Sequence, residues 1–190
     1  MVAAAALLRP LFEERGIVLP DSFRIACGWP LGRQSGTTGR SHAIGQCFAQ
    51  RASKDGTSEI FVSPELDKAF SVLPVLVHEL IHAADDCVSG HRGPFRKMAI
   101  TVGLHGPMRS TYAGPELRAR LNALSTELGP YPHASLDASQ AHKKQGTRLI
   151  KVVCDRASHG YSCWTTRMWL DEGTPTCVCG SRMSEVTRRR

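Results

Sequence analysis

The sequence predicts an α+β fold with a small metal-stabilised module behind it. Two observations carry this reading. Three short strand-like runs between residues 23 and 62 precede a series of amphipathic helices. After residue 146 the aliphatic residues thin out while Cys154, His159, Cys163, Cys177 and Cys179 accumulate, so a structural metal would have to supply folding energy that the missing core cannot.

In chain order, residues 3–15 read as a helix with Leu7, Leu8, Leu11 and Phe12 on one side, stopped by Gly16. Phe23, Ile25 and Cys27 alternate with Arg24 and Ala26 as in a half-buried strand. Residues 32–41 lack apolar periodicity and read as a loop. The runs 43–50 and 58–62 flank Lys54-Asp55-Gly56-Thr57, which predicts an antiparallel hairpin on an Asp-Gly turn. Leu73, Leu76, Val77, Leu80, Ile81 and Ala84 form one helical stripe; Ser71 is the expected N-cap and Pro74 falls in the first turn. Pro94 opens a second helix with Phe95, Met98, Ala99 and Val102 inward, and Gly103 closes it. Pro115 opens a third, carried by Leu117, Leu121, Leu124 and Leu128. The resulting organisation is a domain over 1–130, a linker over 131–146, a module over 147–183 and a basic tail over 184–190.

The stripe at 71–86 contains His78-Glu79-Leu80-Ile81-His82, the HExxH arrangement of zinc peptidases. Four residues apart on a helix, His78 and His82 share a face and can reach one Zn²⁺. Glu79 points about a third of a turn away, which suits a general base for zinc-bound water. A third ligand is required. The continuation HExxHxxGxxH fails, with Asp85 and Val88 in place of its Gly and His, and the next glutamate is as remote as Glu116. His91 is therefore the candidate, with His105 in reserve. Asp85 and Asp86 follow His82 closely enough to accept a hydrogen bond from its imidazole.

In the module, Cys154, His159, Cys177 and Cys179 are the candidate ligands of a structural zinc, with Cys163 the alternative to His159. His159 is favoured because it precedes Gly160-Tyr161 at the place of a knuckle turn. An odd count of 7 cysteines argues against a disulfide framework, and the short apolar run in residues 1–10 is neither a signal peptide nor a membrane span, so a cytoplasmic location without membrane contact is expected. Residues 141–190 hold 10 Lys and Arg against 4 Asp and Glu, including Lys143, Lys144, Arg148, Lys151, Arg156, Arg167, Arg182 and Arg188-Arg189-Arg190. This asymmetry predicts non-sequence-specific DNA contact. Trp164 and Trp169 are placed to stack on bases or, in the alternative, to pack inside the module.

The order of N-terminal helix, three strands, HELxHA helix and Gly90-His91-Arg92-Gly93-Pro94-Phe95, followed by TRLIKVVC, HGYSCWTTRMWLDEG and PTCVCG, resembles SprT-like metallopeptidases, the family that includes Spartan-type proteases, and in particular its phage and actinobacterial members with a C-terminal zinc ribbon. The resemblance implies a zincin-like fold with a three-stranded antiparallel sheet and a zinc-dependent endopeptidase acting on a protein substrate. It further implies a catalytic zinc on His78, His82 and His91, Glu79 as base, and a ribbon that includes Cys154, Cys177 and Cys179, with His159 where the family more often has Cys. DNA-associated or DNA-crosslinked protein is the substrate class it suggests. A non-catalytic zinc-containing adaptor for nucleic acid is the competing expectation.

Overall fold

The structure, a computed structural model, describes residues 1–30, 43–137 and 149–186. The loop expected at 32–41, the second part of the expected linker, Lys143, Lys144, Arg148 and Arg188 to Arg190 lie outside the described residues. The chain is a mixed α+β protein that divides into two compact units, Met1–His142 and Lys143–Arg190. Among the described residues no helix is long and apolar enough to cross a membrane.

The first unit is built around one helix. Helix α1 (Val2–Glu13) buries Ala4, Ala5, Leu8, Leu11 and Phe12. Strands β1 (Phe23–Cys27), β2 (Gly45–Phe48) and β3 (Ser58–Val62) follow. Helix α2 (Ala69–Ala84) buries Val72, Leu73, Val75, Leu76, Val77, Leu80, Ile81 and Ala83, together with Glu79 and His82. A helix so apolar around most of its circumference belongs in the interior. Helix α3 (Gly93–Val102) contributes Phe95, Ala99 and Val102, and α4 (Pro115–Leu128) contributes Leu117, Leu121 and Leu124, to the same core. Between them run two short paired strands absent from the sequence expectation, β4 (Leu104–His105) and β5 (Tyr112–Ala113).

Four expectations are corrected here. The first sheet is mixed, in the order β1-β3-β2: β1 runs parallel to β3, with Ile25 opposite Ile60, and only β2 is antiparallel to it. Strand β3, with Ser58, Ile60 and Val62 buried, takes the centre, and the long connection from β1 to β2 lets the chain bring β1 to its other edge. Asp55-Gly56 is not a two-residue hairpin turn: a 3₁₀ turn at Gln50–Ala52 lengthens the connection, and the Asp55 carboxylate is taken up by Arg24 and Ser53. Helix α2 begins at Ala69 rather than Ser71, because the Ser71 and Val72 N–H groups both bond Lys68 O, at 2.9 and 3.0 Å. Pro74 therefore sits past the first turn, where it forfeits one helical hydrogen bond. Finally, the first residues of the expected linker pack on the first unit. Leu136 N–H and Ser135 Oγ donate to Pro64 O and Glu65 O, and Tyr131 packs beside Val62, Val72 and Val75.

The second unit is an antiparallel sheet in the order β7-β6-β8, made of β6 (Leu149–Cys154), β7 (Ser162–Thr166) and β8 (Met183–Glu185), with a short helix α5 (Arg167–Glu172) after β7. Among the described residues its buried apolar cluster is Val152, Cys154, Cys177 and Met183. Two of those four are thiols, so this core is small without a further organising element.

Candidate active site and metal centres

Successive turns of α2 present His78 and His82 on one face, and the chain after α2 returns to set His91 against them. His91 Nε2 lies 3.2 Å from His78 Nε2 and 3.3 Å from His82 Nε2. Two nitrogens bound tetrahedrally at about 2.0–2.1 Å stand about 3.3–3.4 Å apart, so this spacing is that of ligands converging on a single ion. The Phe95 ring, fully buried, stacks on His82 with centroids 4.2 Å apart and also contacts His78 and His91. It forms an apolar floor that holds the three rings.

The electrostatics suit neutral ligands. Burial pulls the His78 imidazole down to about 3 and His82 to about 4, with their neighbouring imidazoles adding to the effect. His91 is lowered by burial and then by the Arg109 cation. Rings that resist protonation keep lone pairs available for a metal. The His78 Nδ1 lies 2.9 Å from Thr111 Oγ1. With Nδ1–H donated to that hydroxyl, the Nε2 lone pair faces the centre. Thr111 arrives on the loop between β4 and β5, which sequence reasoning did not foresee.

Glu79 is buried beside the cluster, and burial pushes its carboxyl up to about 8, with Cys87 adding to the rise and a hydrogen bond from the Cys47 N–H opposing it. Strand β2 makes this arrangement possible by coming very close to α2. A Cβ at Gly45 would stand 2.5 Å from Glu79 Oε1 and 2.5 Å from Val75 Cγ1, so only glycine fits there. His78, Glu79, His82 and His91 open on a cleft of ≈ 770 Å³ bordered by Gly45, Gln46 and Cys47 on one side and by Arg109, Thr111 and Tyr112 on another, with Ile44, Phe70 and Pro74 forming an apolar stretch of its wall.

His105 is not part of the cluster; its ring faces Tyr112. Asp85 and Asp86 do not serve His82 either. Asp85 accepts from the Ser89 N–H and hydroxyl at 2.6 and 3.0 Å, and Asp86 accepts from the Gln50 N–H at 2.7 Å. The helix ends at Ala84 and the backbone then turns through positive φ at Asp86 and Cys87, where both carboxylates are taken up by backbone N–H groups.

A second group forms where two turns of the C-terminal unit meet. Cys154 ends β6, His159 lies in the turn before β7, and Cys177 and Cys179 lie in the turn before β8. Cys154 Sγ is 3.6 Å from Cys179 Sγ, and Cys177 Sγ is 3.2 Å from His159 Nδ1. With bonds of about 2.3 Å to sulfur, tetrahedral ligands would be separated by about 3.6–3.8 Å, so this group too is compact enough for one ion. Ser181, through its hydroxyl and N–H, draws the Cys179 thiol down to about 6, toward the thiolate a metal binds. Cys163 is outside the group and packs against the small core opposite Val152.

The tryptophans do not pack inside this unit. Trp164 and Trp169 are 56% and 57% exposed, and Trp164 pairs across the strands with the exposed Lys151. Arg167 is taken up by the Glu185 carboxylate at 2.8 Å. No protein-family model, no curated protein and no solved structure matches this chain.

Proposed function

We propose that the chain is a zinc-dependent endopeptidase of the SprT-like, zincin type, with its catalytic centre on His78, His82, His91 and Glu79 and a structural zinc on Cys154, His159, Cys177 and Cys179. The observation that carries the reading is the difference between the two groups. Among the described residues the second offers four donors, enough to close a tetrahedral site, whereas the first offers three imidazoles lining the cleft and a carboxylate beside them. Three protein ligands with an open position characterise catalytic zinc, and four characterise structural zinc. All-nitrogen and sulfur-rich donor sets both suit this ion.

When bound, the metal supplies a Lewis acid that acidifies water and polarises a carbonyl. The protein's own residues do the rest. Glu79 accepts a proton from water at its carboxylate and returns it to the departing amine. The Cys47 N–H and the close approach of Gly45 fix the rotamer of that carboxylate. Thr111 holds the tautomer of His78. Among the described residues strand β2 pairs only with β3, and it runs along the cleft.

Glu79→Gln in the full chain tests the proposal: peptide hydrolysis should fall by at least about 10³-fold while metal content is unchanged. His91→Ala should lose one equivalent of metal, and His105→Ala should lose none. Hydrolysis that survives Glu79→Gln would remove the peptidase reading.

For the second unit we propose non-sequence-specific contact with DNA, directing the peptidase to DNA-associated protein. Exposed Lys151, Trp164 and Trp169 support the idea, since aromatic faces among cations bind unpaired bases. Binding should weaken with salt, by a slope of about −0.7 for each phosphate contacted on single strands.

A further inference from the structure

Cys47 and Cys87 line the same cleft and belong to neither metal group. They come from different elements: Cys47 lies in β2, and Cys87 lies in the turn that follows α2. Both are free thiols and neither is fully buried. The Cys87 thiol donates to the Cys47 carbonyl oxygen at 3.4 Å. The two thiols also hydrogen-bond each other directly, so the sulfurs stand side by side, as joining them requires.

The backbone holds this approach in place. Asp86 and Cys87 have φ of 45° and 56°, the two positive values at non-glycine residues among the described ones. Side chains with a Cβ seldom adopt that conformation without compensation. Here the compensation is visible: Cys87 N–H bonds His82 O at 2.8 Å, and the Asp86 carboxylate takes the Gln50 N–H, just beyond the end of β2, at 2.7 Å. The first bond ties the turn to the end of α2 and the second ties it to the chain leaving β2, with the Cys87 thiol on the Cys47 carbonyl oxygen.

We propose that Cys47 and Cys87 form a reversible disulfide, so that this wall of the cleft is an oxidation site for hydrogen peroxide. One sulfur, as thiolate, attacks a peroxide oxygen; the O–O bond breaks, the thiol becomes a sulfenic acid, and the other oxygen leaves as water after taking a proton. The second sulfur then displaces the sulfenic hydroxyl, which departs as water with the second thiol's proton. Two thiols and one peroxide give one disulfide and two waters, the sulfurs losing the two electrons that the peroxide gains. A dithiol reductant restores both thiols. The bond ties β2 to the turn leading to His91 and closes a loop of about 40 residues, which restricts the unfolded chain. The inference stands on the placement of the two thiols and is independent of the peptidase reading.

Equimolar peroxide added to the full-length protein, followed by alkylation and non-reducing peptide mass mapping, tests it. The expected result is one peptide pair joined through Cys47 and Cys87, lighter by two hydrogens, separated by dithiothreitol, and accompanied by a rise of several degrees in Tm. The pair should vanish in Cys47→Ser and Cys87→Ser and persist in Cys27→Ser. Sulfinic acid at either thiol without a joined pair, or joining through Cys27 or the cysteines of the second unit instead, overturns the proposal. The wild-type map decides by itself, so a variant that fails to fold does not rescue the idea.

Discussion

Gly45 stands so close to Glu79 that a single added carbon would lie 2.5 Å from the carboxylate oxygen. The edge strand thus shapes the setting of the Glu79 carboxylate as much as the helix that carries it. Gly45→Ala should displace Glu79 without disturbing the three imidazoles. The expected outcome is a loss of about tenfold or more in kcat/KM with unchanged metal content, because small misplacements of a reacting group are costly in rate. Paired metal analysis and kinetics would check it.

Thr111 acts on the same centre from the opposite side. Thr111→Val keeps the shape of the side chain but removes the hydroxyl that His78 Nδ1 meets at 2.9 Å. Metal affinity at the histidine group should drop about 10- to 100-fold, and Thr111→Ser should restore most of it. Competition with a chromophoric chelator reads the affinity directly.

The buried carboxyl gives a pH dependence that can be isolated without metal. Glu79 titrates at about 8 in the folded protein against an ordinary value of 4.5, so between those values the folded state keeps a proton that the unfolded state has released. Its contribution is therefore fully present below about pH 4.5 and is lost as pH rises through 8. Metal-free wild type should lose stability relative to metal-free Glu79→Gln over that window. His78 and His82, lowered from 6.5, work in the opposite sense: their contribution is present above about 6.5 and is lost as pH falls toward 4. Both proteins share the histidine effect, so it cancels in the comparison, and thermal unfolding with chelator across pH would read the difference.

Chelation should affect the two units unequally. The first unit has a core of fully buried side chains from α1, α2, α3 and α4, whereas the second has Val152, Cys154, Cys177 and Met183. Removing metal should melt the second unit and leave the first folded, as should His159→Ala or Cys179→Ser. Cys163→Ala should retain the metal. Amide NMR spectra with and without chelator distinguish these outcomes.

On single-stranded DNA, Trp164→Ala and Lys151→Ala should each weaken binding, whereas Arg167→Ala should change little because Glu185 already neutralises it. Loss of one stacking platform corresponds to about 1–3 kcal/mol. Fluorescence titrations at several salt concentrations would separate stacking from phosphate contact.

What the sequence made legible is local. Leu73 through Ala84 spell a helix by period, and His78 and His82 share its face because of that period alone. His91 and His159 needed argument by exclusion and by turn position, and the structure sets each beside its group. Gly45 and Thr111 left no trace, since each meets α2 across more than thirty residues of chain and nothing in a local pattern records such a meeting. Strands of two residues, such as β4 and β5, are too short to show alternation. Direction within the sheet was misread for a related reason: β1 and β2 both look like strands, but pairing with β3 is long-range and leaves no local mark of which edge, or which direction, each one takes.

The unequal donor counts of the two metal groups also order the life of a newly made chain. With four donors, three of them thiolates, the C-terminal group should capture the first zinc ion, and the histidine group, one donor short, should wait for the second. On the proposed reading, a zinc-poor compartment would leave the chain assembled yet idle, with the histidine group filling only as free metal rises.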